Sequence, residues 1–414
     1  MIVSSLCQRM KPQSSNASTL TNLLPWLALL CSVLLFGLHF FAAGGRNRLI
    51  NDSRGYLSIA QGERAGTPFD SRVFAPFIAA MITKTTGVSG QAAFQVLSFA
   101  SLIGSLLLLK RIIRNRGGKS EYQAAMLFSL GAGLAATFGD TPVMIDPPLL
   151  VLACLTVLAL DHGKWLGLLV LSVLAALTKE YGLLLGLLIA LICWRNNRRK
   201  YAIAGMLLPV ASLLFVLITG PRSERPVIDS WHNFINGMLG YHRYLLHFRG
   251  PVEYLELLYM WSWSVVWPVL VLAGVIVGSR LGSRTRMTDD QIGFALMLLA
   301  LPLLLLGDWG RALLIVVPFA CTVAVAHPLA RDRYFLFLLG LGGLSTALAR
   351  PLHSTPPPPM ALTLAMTVIS VAASVLIAVR IVRSLASRST RHLDPAFENA
   401  FARDRDSIID SSYL

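Results

Sequence analysis

Several short stretches of this chain place acids and bases where proton transfer and anion binding could occur. Residues 51–76 read NDSRGYLSIAQGERAGTPFDSRVFAP, holding Asp52, Glu63 and Asp70 among Arg54, Arg64 and Arg72 directly behind an apolar run. Further on, GDTPVMIDPPLL sets Asp140 and Asp146 on either side of a proline-rich turn, LTKEYG sets Lys179 beside Glu180, and GDWGR sets Asp308 three residues before Arg311. Residues 220–255 mix Arg222, Arg225, Arg243 and Arg249 with Trp231, His232, Tyr241, His242, Tyr244 and His247. A carboxylate can take a proton from a hydroxyl. The planar guanidinium of Arg grips two oxygens of a phosphate, and Lys acts on one as a point charge. Rings interleaved with cations suit a sugar and a phosphate, and equally a membrane interface. Taken singly, each pair also has a plain role: a helix cap for Asp140 and Asp146, and a local ion pair for Lys179 with Glu180 and for Asp308 with Arg311.

The elements that carry these groups follow from composition. Of the 414 residues 55% are hydrophobic and 14% charged, and the mean hydropathy of +0.64 is beyond that of a water-soluble domain. A bilayer core about 30 Å thick takes about 20 apolar residues per helical crossing. Lipid leaves no partner for unsatisfied backbone groups, and the long apolar runs lack the alternation of a β-barrel. The expected fold is therefore all-α, a polytopic integral membrane protein. About 12 transmembrane helices are expected, near 22–43, 91–109, 122–138, 147–161, 165–178, 182–194, 201–219, 256–278, 291–306, 312–328, 334–349 and 361–380. Residues 1–21 and 381–414 are then polar terminal segments on one side, with large loops at 44–90 and 220–255 on the other. The five cysteines are scattered and suggest neither a disulfide framework nor a CxxC metal site.

Residues 165–194 could be one long helix or a hairpin. As one helix they would span about 45 Å with Lys179 and Glu180 at the centre, where a charge costs about 2.5–3.5 kcal/mol. A hairpin turning at Thr178-Lys179-Glu180 avoids that cost. With both termini placed in the cytoplasm, 23 of the 36 basic residues fall on the inner side, as the positive-inside bias requires. Basic clusters beside anionic headgroups account for the net charge of +15 without any nucleic acid. Asp52, Asp70, Asp140, Asp146, Glu180 and Asp308 then all lie on the outer face. After Arg72, VFAPFIAAMITKTTG is too short to cross. It is expected to form an outer surface helix starting near Ala75-Pro76, burying a face made of Phe74, Phe77, Ile78, Met81 and Ile82.

That arrangement resembles the GT-C superfamily of polytopic glycosyltransferases that use polyprenyl-phosphate sugars. The resemblance rests on Asp52 and Tyr56 in DSRGY, Arg72 and Pro76 in RVFAP, Asp146 in DPPLL, Lys179 and Glu180 in TKE, and Asp308 and Arg311 in DWGR. It covers chiefly residues 22–195 and more loosely 291–328, and a lone Asp52 followed by Ser53 stands where many such enzymes carry paired acids. It implies sugar transfer from a polyprenyl-phosphate donor to a hydroxyl acceptor at the outer face of a bacterial inner (plasma) membrane. Asp52 would be the general base and Asp70 the second choice. Arg72, Lys179 and Arg311 would hold the leaving phosphate, with Tyr56, Asp140, Asp146, Glu180, His232, Arg243 and Asp308 in supporting or substrate contacts. An acidic leaving phosphate needs no separate general acid, and no obligatory metal or other cofactor is expected, although Asp52, Asp140 and Asp146 would form a metal site if the fold brought them together. Two rivals are an envelope polysaccharide polymerase or ligase using a lipid pyrophosphate held by Arg225, Arg243 and Arg249, and a transporter or flippase of a lipid-linked or anionic substrate. A transporter commonly shows repeated halves and midplane polar groups; neither is evident in the sequence.

Overall fold

The computed structural model describes residues 15–42, 51–63, 71–140, 142–219, 266–281, 286–301, 312–349 and 360–391. These form fourteen α-helices: α1 Ser15–Ala42, α2 Asn51–Ala60, α3 Phe74–Thr86, α4 Gly90–Asn115, α5 Ser120–Asp140, α6 Asp146–Asp161, α7 Trp165–Thr178, α8 Leu183–Arg195, α9 Arg199–Thr219, α10 Val266–Leu281, α11 Asp289–Met297, α12 Leu313–Val325, α13 Arg333–Ala349 and α14 Met360–Arg391. Four contain segments long and apolar enough to cross a membrane: Thr21–Phe41, Gly90–Asn115, Arg199–Thr219 and Leu364–Ser384. Shorter apolar helices accompany them, among them Trp165–Thr178 and Leu313–Val325. Such a set points to a multi-pass membrane protein.

The surface of the described helices agrees. Along α1, Leu23, Leu27, Leu30, Leu34, Leu38 and Phe41 are each at least half exposed, a stripe at helical spacing that water would not tolerate and lipid would. The interior is equally apolar. The helix α12, from Leu313 to Ala324, is buried on every side, as a core helix packed all round must be.

Side-chain contacts show which helix ends meet. Arg116, just past α4, reaches Asp161 at the end of α6 (2.6 Å) and Asp290 at the start of α11 (2.7 Å). Arg195 closes α8 beside Asp289 at 3.3 Å. Ser120, opening α5, lies 3.4 Å from Asn22 near the start of α1. At the other end of α1, His39 Nε2 lies 3.1 Å from the carbonyl of Ala347 near the end of α13. The described bundle thus has an Arg116 end and an opposite end, which is marked by Asp146.

The hairpin at 165–195 is present. Lys179 breaks the helix with extended backbone, φ −160° and ψ 145°, and a 3-10 turn over Glu180–Gly182 follows. The Arg198 guanidinium beyond α8 sits 4.9 Å from the Trp165 ring that opens α7, so the arms run antiparallel. Gly182 is needed at the turn because a Cβ there would collide with the Ala175 carbonyl. The arms then lie against α9, where the Gly186 and Gly205 backbones come close, as small residues permit between apolar helices.

One expectation changes. The stretch beginning at Asp52 is helix α2 rather than loop. The helix α3 lies where expected; its protein-facing side is Ala75, Pro76 and Ala79 with Ile82, while Phe77 is 61% and Met81 50% exposed. Small residues let α3 approach α2 and α4 closely, Phe74 packs against the main core, and Phe77 and Met81 stay on the outer side, where an interfacial helix meets lipid. The expected spans at 256–278 and 291–306 are described only from Val266 and only to Leu301.

Candidate functional site

Four chain segments converge at the Asp146 end. The first is α2, with Asp52 in its first turn. The Ser53 hydroxyl donates to the Val143 carbonyl at 3.0 Å, and Ser98 on α4 donates to the Pro142 carbonyl at 2.5 Å. These two bonds tie the turn before α6 to α2 and α4. Tyr56 is fully buried in a cluster with Ala75, Ala79, Ala93, Phe94, Val143, Met144 and Ile145. Asp52 is half-buried and sits one helical turn before Tyr56, a spacing that stacks the two side chains on one face of α2.

The second segment is Ser71-Arg72, leading into α3. Arg72 Nη1 donates to the Tyr56 hydroxyl at 2.9 Å. Its Nε donates to Glu180 Oε1 at 3.0 Å and Oε2 at 3.2 Å, and its Nη2 donates to Oε2 at 3.1 Å. The Ser71 hydroxyl donates to the same carboxylate at 2.9 Å. Three donor groups therefore converge on Glu180 in the bidentate geometry that Arg favours. Burial alone would lower the basicity of Arg72, but Tyr56 and Glu180 outweigh it and hold the guanidinium above its usual pKa.

The third and fourth segments meet in a second pair. Lys179 Nζ lies 2.9 Å from Asp146 Oδ1, with 2% and 3% of the two side chains exposed. The ammonium also stands 4.7 Å from the Tyr181 ring centre, a cation–π distance. The expected cap role for Asp146 is corrected: Ile145 holds the N-cap position, and Asp146 lies inside the first turn, followed by Pro147 and Pro148. A carboxylate is favourable at that helix end, and a proline there forfeits no helical bond. The local Lys179–Glu180 pair is corrected too. Extended backbone at Lys179 sends successive side chains to opposite sides, so Lys179 takes Asp146 and Glu180 takes Arg72.

Of the residues expected to form a site, Tyr56, Arg72, Asp146, Lys179 and Glu180 are thus brought together, with Asp52 one turn away. Asp70, His232, Arg243, Asp308 and Arg311 lie outside the described residues, as do Arg225 and Arg249; Asp140 closes α5, but its side chain is outside them. Among the described residues no three His, Cys, Asp or Glu side chains are grouped as metal ligands would be. Sequence reasoning missed Ser71, Ser53, Ser98 and Tyr181, because a lone hydroxyl or ring carries no spacing signal. At the Arg116 end it counted basic residues and missed that Arg116, Arg195 and Arg380 each hold an acid.

Among the described residues the fold is all-helical, with four helices long and apolar enough to cross a membrane. No family model, no curated protein and no solved structure matches the chain.

Proposed function

We propose that this chain is a membrane glycosyltransferase of the GT-C kind, moving a sugar from a polyprenyl-phosphate donor to a hydroxyl acceptor at the outer face of the membrane. The observation that carries the reading is the meeting of Tyr56, Arg72, Asp146, Lys179 and Glu180 at one end of the bundle, a helical turn from Asp52. These are residues on which the resemblance rests, and they come from four segments spread over more than a hundred positions. In this reading the helices cross about twelve times, both termini are cytoplasmic, and the Asp146 end faces outward.

Asp52 takes the proton of the acceptor hydroxyl as that oxygen bonds to the anomeric carbon. The bond from that carbon to the phosphate oxygen breaks, and polyprenyl phosphate leaves with the electron pair. Arg72, Lys179 and Arg311 are the cations for that phosphate, and fixed cations favour the departing charge. Among the rival readings, a transporter commonly carries repeated halves, and no repeat is evident in the sequence.

The test is single-turnover transfer by reconstituted protein from a panel of polyprenyl-phosphate hexoses and pentoses. Asp52→Asn is expected to cut the rate about 10²–10⁴-fold, the usual worth of a general base, with donor binding retained. Near-normal transfer by Asp52→Asn would sink its assignment, and a collapse confined to Asp70→Asn would move the base to Asp70. Uptake of the lipid-linked substrate without sugar transfer would replace the enzyme by a transporter.

A further inference from the structure

The fork formed by Ser71 and Arg72 has the chemistry of an anion receptor, and a carboxylate of the protein occupies it. Arg72 Nε and Nη2 and the Ser71 hydroxyl all point at Glu180, at 2.9 to 3.2 Å. The Arg72 side chain is 7% exposed and that of Glu180 22% exposed, so the carboxylate is the partner that can leave toward the surroundings. Glu180 also sits in a three-residue 3-10 turn between α7 and α8, not within a long helix, and Tyr56 holds the guanidinium from a further side at 2.9 Å. A buried guanidinium left without an anion is strongly unfavourable, so Glu180 can be released only to another anion. A phosphate group, as ester or free ion, spreads its negative charge over equivalent oxygens as a carboxylate does, and Arg binds both groups bidentately.

We infer that Glu180 closes a phosphate-binding fork at Ser71 and Arg72, and that the phosphate of a lipid-phosphate ligand enters by exchange with its carboxylate. The inference rests on the glycosyltransferase reading for the identity of the lipid phosphate, while the exchange itself depends only on the fork. Glu180 is then a competitor of the ligand, not one of its supports, and the two roles predict opposite signs.

The experiment measures binding of a short-chain polyprenyl phosphate, and separately of inorganic phosphate, to the purified full-length protein by calorimetry. A fork closed nine-tenths of the time gains about tenfold in affinity when its competitor is removed, so Glu180→Gln is expected to bind prenyl phosphate about tenfold more tightly. Glu180→Asp keeps a charge but shortens the reach to Arg72 and should shift affinity the same way by less; it decides the matter if Glu180→Gln does not fold. Arg72→Lys, which keeps the charge and loses the fork, should weaken binding in either background. A gain shared by both probes assigns the fork to phosphate as such, and a gain confined to prenyl phosphate assigns it to the lipid; both support exchange. Equal or weaker binding of prenyl phosphate by the folded Glu180 variants overturns it, as does failure of both probes to bind the protein and every variant. A gain in binding with no sugar transfer from any donor would leave the fork standing and remove the glycosyltransferase reading.

Discussion

Lys179 and Asp146 show what single residues contribute beyond their charge. With 2% and 3% of their side chains exposed, each charge is compensated in large part by the other. Breaking a buried pair by removing one partner costs about 3–5 kcal/mol, since an uncompensated charge remains. Lys179→Met is therefore expected to lower the stability of the purified protein in detergent by about that amount, and adding Asp146→Asn should restore most of it. Thermal unfolding of the two variants checks this; equal losses in the single and double variants would mean that the pair is not what holds Lys179 inside. Donor binding by the folded fraction reads any phosphate role separately. The residue types were legible in the sequence and their partners were not. Adjacency made Lys179 and Glu180 look like a pair, and one extended residue at the break sends them to Asp146 and Arg72.

At the scale of elements, helix ends carry the specific contacts. Asp332 opens α13 by accepting from the Phe335 amide at 2.9 Å, and it holds Arg380 of α14 at 2.6 Å. Burial would raise its pKa, but Arg380 and the Phe335 and Tyr334 amides outweigh burial and lower it. A carboxylate with a depressed folded pKa adds stability above its unfolded pKa of about 3.9, and that stability is lost as the pH falls through the folded value. Asn caps a helix as well as Asp does, so Asp332→Asn isolates the charge. The expected loss is about 0.2–1 kcal/mol at pH 7 for a partly exposed pair, shrinking as the pH drops below about 4. Unfolding at both pH values tests it, and a loss independent of pH would show that the pairing with Arg380 is not its source. The position of α3 was readable from its length and from Pro76, but which side it turns to the protein was not. The helix turns Ala75, Pro76 and Ala79 inward and leaves Phe77 exposed.

For the whole molecule, orientation in the membrane is the property on which the proposed chemistry depends. Thr85 on α3 and Asn196 after α8 are both exposed and lie at opposite ends of the described bundle. In protein whose five native cysteines are replaced by alanine, Thr85→Cys should react with an impermeant thiol reagent on intact cells, and Asn196→Cys only after permeabilisation. The reverse pattern would invert the molecule and put the Arg72 and Lys179 cluster in the cytoplasm. By itself the sequence determined the membrane class, most helix positions and the break at Lys179. Those depend on local quantities: apolar content, a rise of 1.5 Å per residue, and the cost of a charge in lipid. Only the tertiary structure decided that Ser71 and Arg72 grip Glu180 across 109 and 108 positions, and that Asp146 meets Lys179 across 33. Contacts between distant positions depend on how helices pack and which way each side chain leaves its backbone, and the composition of a single segment records neither.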